Sequence, residues 1–274
     1  MNRLLAGLIA SLLLPLPLGL DGIVQPLVNG NQVTAGISLP GGLTADLTIT
    51  FEQVQGLSVQ NLGLSAQVIN PLDPNLLSRL GGIAQIPTLF PVLLRIEPPA
   101  SGGLTFHGLV SIELHTHNLL YVPSTPLRLF AAPLGGPFRD ITVYNGSGSY
   151  RCRGTKGDFS EFLIVADLRS IDTVIDGKLN RLEQTLNDNA GAITPSVLST
   201  LTTILGEIRS SWAARDIPRA VAADEVFLDT VQSHSGTDIP DVWQAGGALI
   251  NTAGRLRAAA ATLRFSLALK GGLP

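Results

Sequence analysis

The sequence predicts an α+β chain of two domains, an N-terminal antiparallel β-sandwich followed by a C-terminal antiparallel helical bundle. Three observations carry this. Up to Asp167 apolar residues alternate in short runs cut by Gly and Pro; beyond it they recur with a period of 3.6. Charge shifts at nearly the same place: residues 1–150 hold five Lys/Arg and seven Asp/Glu, against thirteen and fourteen in the shorter remainder. The early segments also follow one another through tight turns, whereas a parallel sheet needs helices between its strands. The expected division is a leader over 1–22, a β-sandwich over 23–167 and a four-helix bundle over 168–274.

Composition narrows the class. With 274 residues there is chain enough for two cores. Charged residues are 14%, below the roughly 25% usual for soluble domains, and mean hydropathy is +0.32. Only the N-terminus has an apolar run approaching membrane-spanning length, so the apolar excess belongs to cores. A net charge of -3 without a basic run lacks the footprint of a nucleic-acid binder.

The leader MNRLLAGLIASLLLPLPLGL has one Arg, an apolar stretch from Leu4 to Leu14 and then Pro15 and Pro17. That is the layout of a secretory signal peptide. No A-x-A precedes Asp21, leaving Gly19 and Gly22 as the small residues near a cleavage point. An uncleaved anchor is the rival, but Leu4 to Leu20 as a helix reaches only about 25 Å, short of a ~30 Å hydrocarbon core. The expected location is secreted or periplasmic, with no membrane span after cleavage.

The strands follow in order. NQVTAGISL, LTADLTITFE and LGLSAQVIN alternate, with Leu47, Ile49 and Phe51 on one face against Thr48, Thr50 and Glu52. NPLDPNLLSRLGG reads as one short helix with Asp73 as N-cap, Pro74 in its first turn and Gly81 at its end. FPVLLRIEPP is a further strand. In LVSIELHTHNL, Val110, Ile112 and Leu114 face the core while Ser111, Glu113, His115 and His117 face away. PLRLFAA, RDITVY, SYRCRG and FSEFLIVA complete the set, the last apolar on both faces from Phe162 to Ala166 as a central strand would be. Cys152 is the single cysteine, excluding an intramolecular disulfide; it shares a face with Tyr150 and Gly154 and reads as a small buried hydrophobe, an intermolecular disulfide being the alternative.

The wording GGLTF, the alternating strands after it, PLRLFAAPLGGPFRDIT and FSEFLIV together resemble an uncharacterised family of exported bacterial proteins, a domain of unknown function, from about residue 38 to 185. The resemblance implies export and no particular activity. The β part is also similar to cell-surface β-sandwich modules of the ankyrin and netrin-receptor type, which implies protein binding without catalysis.

After Asp167, Leu168, Ile171, Ile175, Leu179, Leu182 and Leu186 mark one helix face. Thr194-Pro195 opens the next helix, with Val197, Leu201, Ile204, Ile208 and Trp212 inside. Asp216-Ile217-Pro218 and Asp238-Ile239-Pro240 offer two matching starts, the second opening a long helix through Trp243, Ile250, Leu256 and Leu263 towards Gly271. Both tryptophans read as core anchors. Acids match bases on these helices, unlike the Lys/Arg-rich polar face of a membrane-lying helix.

Candidate chemistry is sparse. His115-Thr116-His117 sets two imidazoles on one strand face about 7 Å apart along the strand, within reach of one metal ion. Glu113 continues the row, but its backbone lies about 13 Å from that of His117, so a third ligand must come from elsewhere. There is no G-x-S-x-G elbow and no phosphate-binding Gly loop. Asp172–Glu183 has acids at its ends, yet Val174 stands where a calcium loop needs oxygen. The reading is a non-catalytic exported binding or scaffolding protein of the cell envelope with no catalytic residues and no cofactor, partnered by another envelope protein or a surface polymer. The rival is a metal-dependent hydrolase built on His115, His117 and Glu113.

Overall fold

In the computed structural model, which describes residues 20–81, 84–247 and 249–272, the chain is α+β. The first strands are β1 (Leu20–Asp21), β2 (Ile23–Asn29), β3 (Gln32–Leu39), β4 (Leu43–Gln55), β5 (Leu64–Val68), β6 (Ala84–Gln85) and β7 (Val92–Ile96). Next come β8 (Thr105–Thr116), β9 (Leu127–Ala132), β10 (Arg139–Asp140), β11 (Thr142–Gly146), β12 (Tyr150–Lys156), β13 (Glu161–Asp167) and, far later, β14 (Val242–Gln244). Short helices α1 (Val59–Leu62) and α2 (Pro74–Leu80) interrupt the strands. The long ones follow them: α3 (Ile171–Asp188), α4 (Pro195–Ala213), α5 (Ile217–Ser233) and α6 (Thr252–Gly271).

The strands form two antiparallel sheets. One runs β1-β5-β7-β13-β9-β10 with β6 also on β13; the other runs β11-β12-β8-β4-β3-β2 with β14 also on β8. Alternation decides which side chains turn inward. Leu47, Ile49 and Phe51 on β4 and Val110, Ile112 and Leu114 on β8 are all buried. They share one apolar cluster with Leu94, Phe162 and Ile164 of the first sheet. Full burial of each such side chain is worth about 1.5–3 kcal/mol. β13 sits between β7 and β9 and is buried along most of its length, matching its two-sided apolar sequence. β2, which carries Pro26, lies at a sheet edge, where a missing N–H costs no ladder bond.

Helix starts follow their caps. Asp73 accepts from Asn75 N at the head of α2, and Gly81 closes that helix with φ 65°. Ser170 caps α3 through Thr173 N, so Leu168 falls before the helix and is exposed. Asp216 caps α5 through Arg219 N, and Pro195 and Pro218 occupy first turns. Ile175, Leu182, Leu201, Ile208, Phe227 and Leu263 join a second apolar cluster. Trp212 belongs to it and donates its indole N–H to Asp176 Oδ1 at 2.7 Å.

The last helix differs from expectation. It starts at Thr252, and Asp238-Ile239-Pro240 does not open it. Asp238 instead holds His234 Nδ1 at 2.7 Å, and Trp243 lies in β14, paired with Phe106 of β8. The indole stacks on Phe106 at 5.2 Å and meets Phe159 edge-on at 5.0 Å, and Gly246, with φ 66°, turns the chain away afterwards. Aromatic packing on the sheet outweighs the local helix signal. The 167/168 division therefore leaves one strand of the second sheet on the helical side.

What seats α6 on that sheet is a set of close approaches. Asn251, fully buried, caps α6 by accepting from Gly254 N at 2.7 Å and donates to Gly108 O at 2.7 Å. Gly108 has φ 69°, at the place where the β4–β8 register shifts. A Cβ on Gly254 would come within 2.5 Å of Gly108 O, and one on Gly157 within 2.5 Å of Arg255 N. No helix among the described residues is long and apolar enough to cross a membrane. The expected leader falls, through residue 19, outside the described residues.

Candidate functional site

The expected metal-ligating residues separate into two groups. Glu113 is turned to β12: its carboxylate takes Arg151 Nη1 at 2.5 Å and Arg153 Nη2 at 2.8 Å. Burial acts to raise its pKa, but the hydrogen bonds from Arg151 and Arg153 outweigh that and hold it below the usual carboxylate range. His115 and His117 do come together, with ring centroids 4.6 Å apart. Their third neighbour is Asp46, which β4–β8 pairing sets directly beside His115. One ligand atom from each of the three lies within 4.8 Å of the others. Sequence spacing could not reveal Asp46, because only the register of β4 against β8 brings it there.

A second site assembles where α2, α3 and α6 meet β10. A cleft of about 420 Å³ is lined by Arg79, Arg139, Arg169, Lys178 and Arg181, with Asp140 as its one acid. Three of these cations are satisfied: Arg79 by Glu161, Arg169 by Asp167 at 2.6 Å, and Lys178 by Asp140 at 2.6 Å. Arg139 and Arg181 have no carboxylate within ion-pair distance among the described residues; Arg181 donates only to Gln184. Desolvation first, then the like charges of Arg181 and Arg169, pull the Arg139 pKa below the usual arginine value. Arg139 and Arg181 are both exposed, and the other three of the five cations are held in ion pairs.

The walls agree with this. Gly177 lines the cleft from inside α3, where a Cβ would meet nothing within 4 Å. Glycine in a helix interior costs about 1 kcal/mol against alanine, and packing gives no reason for it here. An adjoining cleft of about 400 Å³ shares Arg139 and Arg181 and is also lined by Asp158, Asp188 and Thr155, whose buried hydroxyl oxygen has no hydrogen-bond partner among the described residues. None of these cations forms a basic run in the sequence; α2, β10, the segment after β13, and α3 each bring one or two.

Cys152 is fully buried, its thiol facing Leu114 O at 3.7 Å, and burial pushes its pKa far up. It is a packing residue and not a nucleophile.

No curated protein and no solved structure matches the chain. A profile described as "Family of unknown function (DUF6689)" matches residues 17–270, nearly the whole chain. On that match the chain belongs to that family of unknown function, DUF6689.

Proposed function

We propose that this is an exported, non-catalytic binding module of the cell envelope, and that its cleft holds an anionic group of a surface polymer. Carboxylate- and phosphate-bearing chains share the chemistry that would fit. The observation that carries the reading is the Arg139–Arg181 pair, two guanidinium groups lining one cleft, neither with a carboxylate within ion-pair distance among the described residues. Guanidinium forks suit carboxylate and phosphate oxygens because they offer parallel N–H donors. The unpartnered Thr155 hydroxyl offers a further donor in the adjoining space.

The architecture is read with this as a β-sandwich over 23–167 and an antiparallel four-helix bundle over 168–274, strapped together by β14. Support comes from the apolar cluster common to both sheets and from the contacts of α3 with α6, α4 with α5 and α5 with α6. Export has its own readout: intact-mass analysis of envelope material should show a new N-terminus near residues 20–23, and retention of Met1 would contradict it.

The binding test is calorimetric titration with oligogalacturonate for carboxylate and tripolyphosphate for phosphate, with neutral dextran as control. Wild-type protein should bind one polyanion or both in a salt-sensitive manner, and the double change Arg139→Gln plus Arg181→Gln should abolish binding. Equal binding by the variant, or binding of neither polyanion, would reject the cleft as the site.

A further inference from the structure

The outer face of the second sheet carries a different arrangement, independent of the cleft. We propose that Asp46, His115 and His117 bind one divalent transition cation of the zinc type. The three side chains come from adjacent strands: His115 and His117 from the end of β8 and just beyond it, Asp46 from β4 opposite His115. Asp46 Oδ2 is 3.7 Å from His115 Nδ1.

Orientation supports the assignment. His115 Nε2 lies 2.5 Å from the carbonyl of Gly148. A carbonyl only accepts, so Nε2 carries a proton, and in the neutral ring the Nδ1 lone pair is left on the side of Asp46. A ligating histidine is held this way when its other ring nitrogen donates to a backbone carbonyl. His117 Nδ1 is 3.2 Å from Ser149 Oγ in the same turn. That turn joins β11 to β12 through Gly148 and Ser149 at φ 88° and 68°. The second value lies in the left-handed region, which a serine seldom adopts. The turn thus sets one partner against each imidazole.

The spacing is near what an ion needs. Tetrahedral zinc with bonds of about 2.0–2.1 Å places its ligand atoms about 3.3 Å apart. The Asp46 side chain is 72% accessible and unobstructed enough to close the remaining distance. A competing contact is Arg151 Nη2, 3.4 Å from His115 Nδ1; it is long, and Arg151 is anchored to Glu113 at 2.5 Å. Two imidazoles and a carboxylate select zinc, copper, nickel or cobalt over calcium and magnesium, which take all-oxygen sites. Three protein ligands leave at least one position for water or a ligand atom from outside.

Full-length mature protein, tag-free and stripped with a chelator, should be titrated with zinc sulfate by calorimetry. It should take up one zinc per chain, and millimolar calcium or magnesium should not compete. His115→Ala, His117→Ala and Asp46→Ala should each weaken zinc by at least about tenfold; thermal melts should be unchanged for His117→Ala and Asp46→Ala, whose positions are exposed, so a loss of zinc in those two is not a loss of fold. His234→Ala, at a histidine paired elsewhere with Asp238, should bind as wild type. Absence of bound zinc at tenfold molar excess would overturn the site. So would zinc binding that survives all three changes, that is lost in His234→Ala, or that calcium displaces.

Discussion

Lys178 Nζ lies 2.6 Å from Asp140 Oδ2, with the two side chains only 8% and 2% accessible. The ammonium also donates to Thr262 O, Thr262 Oγ1 and Ser266 Oγ at 2.7–3.0 Å. One cation from α3 thereby ties α6 to β10 at the wall of the cleft. Burial lowers its pKa and the Asp140 charge acts the other way. Removing one partner of such a pair leaves an uncompensated buried charge and costs about 3–5 kcal/mol.

Lys178→Met should therefore destabilise the protein by roughly that amount in guanidinium unfolding. The double variant Lys178→Met plus Asp140→Asn should recover a large part of it. No lone charge then remains, and the introduced amide oxygen can still accept from Thr142 N, as Asp140 Oδ1 does at 2.8 Å. A loss below about 1 kcal/mol for the single variant would mean the pair is far better solvated than its burial implies.

Asp224 presents the opposite situation. It is fully buried on α5 and neither carboxylate oxygen has a hydrogen-bond partner among the described residues. Burial raises its pKa well above the ordinary value; Arg264 opposes this, but that guanidinium is already bound to Glu225 at 2.7 Å. A carboxyl whose folded pKa exceeds its unfolded one stabilises the fold below the unfolded pKa, near 4, and loses that contribution as pH rises through the folded value. Asp224→Asn should thus raise the melting temperature at pH 7.5, by an amount corresponding to about 1–3 kcal/mol. The advantage should vanish below about pH 4, where the carboxyl is protonated in both states. A lower melting temperature at pH 7.5 would refute the unpartnered assignment.

Gly177 separates stability from binding. Gly177→Ala should stabilise α3 by about 1 kcal/mol in thermal or denaturant melts, because nothing lies where its Cβ would go. Gly177→Leu should keep the fold, judged by circular dichroism, and block polyanion binding by filling the cleft. Undiminished binding by the leucine variant would place the ligand elsewhere.

What could be read from sequence was what neighbours along the chain determine. The alternation through Leu47, Ile49 and Phe51, and through Val110, Ile112 and Leu114, assigned strand and face because the pleat repeats every two residues. Asp73, Pro195 and Pro218 announced helix starts because capping is a matter of one turn. Trp243 was misleading for the converse reason: its strand exists only because Phe106 and Phe159 offer it a stacking surface. β2, with Pro26 inside it, is not among the strands expected from the sequence, and a proline suits a strand at a sheet edge. The sites were hidden most deeply. His115 and His117 showed themselves by spacing, while Asp46 needed the β4–β8 register and the Arg139–Arg181 pairing needed the packing of α3 on β10.

The central claim is that an anion sits between Arg139 and Arg181, and locating one there tests it directly. Crystals of the full chain soaked in tungstate, a strongly scattering tetrahedral oxyanion, should give an anomalous peak within hydrogen-bond reach of both guanidinium groups. That peak should be absent from crystals of the Arg139→Gln plus Arg181→Gln variant. Tungstate bound only at other surfaces, with the cleft empty in the wild type, would contradict the account.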